Sequence, residues 1–119
     1  MDQLEMVLAL FSGQYDDPAN VPLHHCRLFL AVGRRGQCRY RDLEEELDLA
    51  NSSVSRTVNA LASVHRNGKP GLGLITTTPD QEEGRRFIIS LTTKGRLLYK
   101  QIQQLTRHDD SKDSKRLDR

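Results

Sequence analysis

Between Leu43 and Leu61 two helical periodicities meet across a three-residue break, and that junction restricts the fold of this chain more than any other feature. Leu43 and Leu47 stand one helical turn apart, Asp48-Leu49-Ala50 interrupts the run, and Asn51-Ser52-Ser53 offers side-chain oxygens to cap a second helix. Within the second helix Val54, Val58 and Leu61 recur at i, i+4 and i+7 and face inward. At about 100° per residue, Ser52, Arg56, Asn59 and Ser63 then fall on the opposite face, flanked by Ser53 and Ser55. Small hydroxyls, an amide and a guanidinium on one stripe suit hydrogen bonding to base edges and phosphates in a major groove. The pair reads as a helix-turn-helix with the second helix as reader. Because any surface helix carries polar residues opposite its apolar ones, this motif alone leaves a plain solvated face open.

The residues that follow narrow the reading. Leu74-Ile75-Thr76-Thr77-Thr78 is rich in β-branched side chains, Pro79 to Gly84 is turn-prone, and Arg85-Arg86-Phe87-Ile88-Ile89-Ser90-Leu91 resumes β character. This predicts a β-hairpin. Thr92 reads as the N-cap of a last helix in which Leu91, Leu98, Ile102 and Leu105 keep helical spacing. The expected fold is mainly α with a small β-hairpin wing, a winged helix-turn-helix.

The elements Leu43-x3-Leu47-x-Leu49-x2-Ser52-Ser53-Val54-Ser55-Arg56-x-Val58-x2-Leu61, Gly73-Leu74-Ile75, Asp80, Arg85-Arg86 and Leu91-Thr92-x2-Gly95 together resemble the MarR family of bacterial regulators. The resemblance runs over about residues 22 to 106. It implies a symmetric homodimer that binds pseudo-palindromic double-stranded DNA, usually to repress transcription, and that often releases DNA when a small molecule binds. Which effector, if any, stays open.

Three departures qualify it. A link of unusual length, Ser63 to Leu72, follows the reader helix and holds Gly and Pro, so it reads as a loop. Its His65, Arg66 and Lys69 suit either backbone phosphates or solvent. The hairpin tip is acidic at Asp80, Glu82 and Glu83, which repels phosphate, while Arg85 and Arg86 partly offset it. The resemblance implies an aspartate at the wing that orients a minor-groove arginine; Asp80 and Arg86 are the nearest pair, and which arginine inserts stays open. The terminal helices, residues 1–12 and 93–107, are short. Even so, Leu4, Met6, Val7, Leu8, Leu10 and Phe11 cover most of the first helix, and such a helix must be buried on most sides. Leu4, Val7, Leu8 and Phe11, with Leu98, Ile102 and Leu105, are therefore the expected dimer surface.

With 119 residues the chain is expected to form one domain over residues 1–107, with its DNA-binding core at 22–92. Residues 108–119, mixed in charge and almost free of apolar side chains, read as a frayed helix end or disordered tail. Three Phe, three Tyr and no Trp make the core aliphatic, and a net charge of +2 permits nucleic-acid binding without requiring it. Arg34, Arg35, Arg39 and Arg41 cluster before the first helix of the motif, with Tyr40 near its start; they suit phosphate contacts or a solvated basic loop, while Glu44, Glu45 and Glu46 should point elsewhere. The expected DNA-contact set is Arg39, Tyr40, Arg41, Ser52, Ser53, Ser55, Arg56, Asn59, Ser63, Lys69, Arg85 and Arg86.

No apolar run approaches ~20 residues, and the acidic start Met1-Asp2 lacks a basic leader, so a cytoplasmic protein is expected. Cys26 and Cys38 fit a reducing compartment, and no paired ligand spacing accompanies His24-His25-Cys26, so neither metal nor cofactor is expected. No nucleophile elbow or phosphate cradle marks an enzyme. The reading is a DNA-binding transcriptional regulator, most simply a repressor; the alternative is a winged helix that binds a polymerase or another regulator, which the acidic patches favour.

Overall fold

The computed structural model describes residues 2–62, 71–82 and 86–117, with side chains through residue 106. Helix α1 (Gln3–Ser12) is capped by Asp2, whose carboxylate accepts from the Glu5 N–H at 2.8 Å. A short 3-10 turn (Pro18–Asn20) leads into α2 (Leu23–Arg35), then β1 (Gln37–Cys38), α3 (Tyr40–Leu47), α4 (Asn51–Leu61), β2 (Ile75–Pro79), β3 (Phe87–Leu91) and α5 (Thr93–Leu117). The fold class is the expected one. Strands β2 and β3 pair antiparallel from Ile75 opposite Leu91 to Pro79 opposite Phe87. Unforeseen in the sequence, β1 adds a third strand on the other edge of β3, with Cys38 opposite Ile89.

One aliphatic core holds these elements together. Leu28, Phe29 and Val32 of α2, Leu43 of α3, Val54, Val58 and Leu61 of α4, Leu74, Ile75 and Ile89 are all buried together. Burying each such side chain contributes roughly 1.5–3 kcal/mol. Helix α1 joins this core through Val7 and Phe11, whose ring lies 5.4 Å from that of Phe29. Leu98 and Ile102 of α5 are buried in the same cluster, and Leu105 packs against it.

That packing corrects the expected dimer surface. Val7, Phe11, Leu98 and Ile102 belong to the core within one chain, because α1 and α5 turn their apolar stripes toward α2 and each other; Leu4 and Leu8 remain exposed, at 67% and 41%. The sequence leaves residues 108–119 as a frayed helix end or a disordered tail, and α5 runs as helix to Leu117. Among the described residues no helix is long and apolar enough to cross a membrane.

The junction of β2, β3 and α5 explains the Leu91-Thr92-x2-Gly95 element. Thr92 donates its hydroxyl to the Gly73 carbonyl at 2.6 Å and accepts from the Gly95 N–H at 3.0 Å, acting as the foreseen N-cap, while its own N–H donates to the Leu74 carbonyl at 3.0 Å. Gly95 lies so close to that strand that a Cβ on it would sit 2.0 Å from the Leu74 carbonyl oxygen. Only glycine lets α5 start here.

Candidate nucleic-acid interface

The turn between α3 and α4 is set by Asp48, which adopts the left-handed conformation (φ 55°, ψ 50°) and donates its N–H to the Glu44 carbonyl. A short polar side chain tolerates that region better than a branched one. Helix α4 then starts with Ala50 at its cap position and no side-chain cap, contrary to the oxygen expected from Asn51-Ser52-Ser53. The Asn51 amide instead donates to Glu44 Oε2 at 3.1 Å, tying the two helices across the turn.

On α4 the apolar stripe is buried as the spacing predicts, with Val54 at 0% and Val58 at 1%. Thr57 is buried beside them, its hydroxyl donating to the Ser53 carbonyl at 2.8 Å. Ser52 and Arg56 are exposed, and Ser53, Ser55 and Asn59 are half-buried along the outward edge. Ser63 and Lys69 lie outside the described residues, as do His65, Arg66, Glu83 and Arg85.

The basic residues before α3 are arranged differently from the expectation. Arg34 and Arg35, at the end of α2, both pair with Glu46 of α3, Arg35 at 2.8 Å. The hydrogen bonds these arginines donate, and after them their charges, hold the Glu46 carboxyl below the usual carboxylate range. Arg41 pairs with Glu45 one turn on at 3.6 Å. Two of the three glutamates expected to point elsewhere therefore face arginines, Glu46 because the end of α2 packs beside α3 and Glu45 because it stands one turn from Arg41 on the same helix. Arg39 reaches across to Asp80 at the loop end of the wing, at 2.5 Å. Tyr40 is half-buried against the core. Arg56, by contrast, makes no ion pair among the described residues.

At the wing, the Asp80 N–H donates to the Arg86 carbonyl at 2.8 Å and closes the loop end of the hairpin. Asp80 was expected to orient Arg86, and the structure adds Arg39 as a partner that its sequence neighbourhood did not reveal. Arg86 itself is exposed. The two cysteines are buried, and burial raises both thiols, Cys38 to about 11, so both stay protonated near neutral pH. Neither has the lowered pKa of a reactive thiol.

Helix α4 with an outward polar stripe, seated on α3 and flanked by a hairpin wing, defines a winged helix-turn-helix. The fold is that of the MarR-family regulators. It superposes on a mutant MarR from E. coli with a TM-score of 0.63 at 17% identity, covering 90% of this chain and 69% of that one. The same mutant complexed with operator DNA gives 0.61 at 17% identity, over 90% and 70%. YusO from Bacillus subtilis gives 0.60 at 16% identity, over 92% and 69%. No family model and no curated protein matches the sequence.

Proposed function

We propose that this protein is a sequence-specific, duplex-DNA-binding transcriptional regulator. The observation that carries the reading is the α4 stripe: Ser52 and an exposed Arg56 with no ion pair among the described residues, with Asn59 beside them, on the reader helix of a fold shared with a regulator that has been seen on operator DNA. The absence of a side-chain cap at α4 supports it, since an open helix N-terminus favours phosphate. Ser53 and Ser55 complete the groove-facing set, and Arg86 with Arg85 supplies the wing. The protein acts as a homodimer on a pseudo-palindromic site, and its simplest output is repression by occupying the operator.

Selection of bound fragments from random duplexes, followed by gel shifts at low and moderate salt, tests this. A single inverted-repeat motif should emerge, and its affinity should fall steeply as salt rises, because bound phosphates release counterions. No enriched motif and salt-insensitive binding would remove the DNA reading. The neutralisation of Arg34, Arg35 and Arg41 by glutamates supports the second reading, a winged helix that docks another protein. That reading predicts no motif at any salt.

A further inference from the structure

Asp80 is only 5% exposed, although it lies at the loop end of a surface hairpin, just past the last β2 residue. Its Oδ1 accepts from the Glu82 N–H at 3.0 Å and its Oδ2 from Arg39 Nη2 at 2.5 Å. Arg39 is 41 residues earlier in the chain, at the N-cap of α3. The backbone there is itself fixed, because the Arg39 N–H donates to Asp42 Oδ2 at 2.8 Å. Between the start of α3 and the loop end of the wing lies an open groove of about 600 Å³, lined by Tyr40, Arg41, Arg86 and Phe87. Phe87, the first residue of β3, is 46% exposed.

An exposed ion pair contributes little, whereas a bridge to a carboxylate that is itself buried holds its geometry more strongly. We propose that Arg39 is a positioning residue for the wing, bracing the loop end of the hairpin against the start of α3 through Asp80, and that it does not contact DNA phosphate. A wing held at one angle to α4 presents both elements to adjacent grooves at once; a wing that swings must be ordered on binding. The inference rests on the DNA-binding reading for its consequence, but the brace itself is tested without DNA.

Amide hydrogen exchange of the whole protein reads the brace directly, since the Asp80 N–H closes the hairpin loop. Arg39→Gln should speed exchange at Asp80 on the order of ten-fold while Val58 and Leu61 of α4 keep their protection. Asp80→Asn should do the same, the double variant should go no further, and Arg39→Lys should restore part of the protection. With the selected duplex, Arg39→Gln and Asp80→Asn should each weaken affinity on the order of ten-fold, non-additively and with an unchanged salt slope. Unchanged Asp80 exchange in Arg39→Gln overturns the proposal. So does the pattern of a phosphate contact, in which Arg39→Gln lowers the salt slope by about one while Asp80→Asn tightens binding. If the unmodified protein selects no duplex, the DNA reading fails while the exchange experiment still decides the brace.

Discussion

Among the cationic side chains around the helix-turn-helix, Arg34, Arg35, Arg39 and Arg41 are each matched to a carboxylate, whereas Arg56 is exposed on α4. Arg56→Ala should weaken specific binding by roughly 1–3 kcal/mol and relax preference at one base position. A titration of the folded variant against the selected duplex checks this; unaltered affinity and preference would take α4 out of its assigned role. Gly95 carries a structural prediction. Gly95→Ala would drive a Cβ into the Leu74 carbonyl and should cost at least about 1–3 kcal/mol, read as a lowered melting temperature. His25 carries a pH dependence. Burial first, then the charge of His24, lowers its pKa from 6.5 to about 4. The unfolded chain therefore takes up this proton first, so the contribution of His25 to stability is complete above about 6.5 and is lost as pH falls toward 4. The melting-temperature gap between the wild type and His25→Gln should narrow across that window; a constant gap would contradict the assignment.

At the scale of elements, the helices of the motif were legible because their determinants are local. Val54, Val58 and Leu61 are buried in one core as their spacing requires, and Thr92 caps α5 three residues before the N–H it accepts. Strand β1 was not legible, since two residues carry no periodicity and its pairing with β3 joins positions about fifty apart in sequence. The capping of α4 was misjudged for a related reason: the Asn51 side chain is drawn across the turn to Glu44 by the packing of α3 on α4. The wing gives a prediction of its own. A minor groove offers a degenerate pattern but a negative potential. Replacing Arg85 and Arg86 together by Ala should therefore lower affinity for all sequences and flatten the salt dependence, and an unchanged slope in the same gel-shift series would show that the arginines face away from DNA.

For the whole molecule, the outer face of α1 carries the prediction. Leu4, Met6 and Leu8 remain exposed after α1 has docked through Val7 and Phe11, and Leu97 of α5 is 61% exposed. A second copy is the proposed cover, and two-fold reader helices would then meet successive major grooves about 34 Å apart. Because Leu4 and Leu8 are outside the core of the single chain, Leu4→Lys with Leu8→Lys should leave the fold intact, yield monomers in sedimentation, and abolish binding to an inverted repeat. A monomeric wild type at micromolar concentration that still binds one inverted repeat with full affinity would refute the dimer.

The sequence by itself determined the helix-turn-helix followed by a hairpin and a last helix, the inward stripe of α4 and the start of α5, because helix periodicity, capping and turn chemistry act over a few residues. Only the tertiary structure decided which charges are available. Arg34 and Arg35 meet Glu46 because α2 ends beside α3, and Arg39 meets Asp80 because the hairpin folds back to the start of α3. It also decided that Val7, Phe11, Leu98 and Ile102 are core while Leu4 and Leu8 face outward. Amphipathicity shows which face of a helix is apolar, but whether that face meets its own chain or another depends on how α1, α2 and α5 pack together in space.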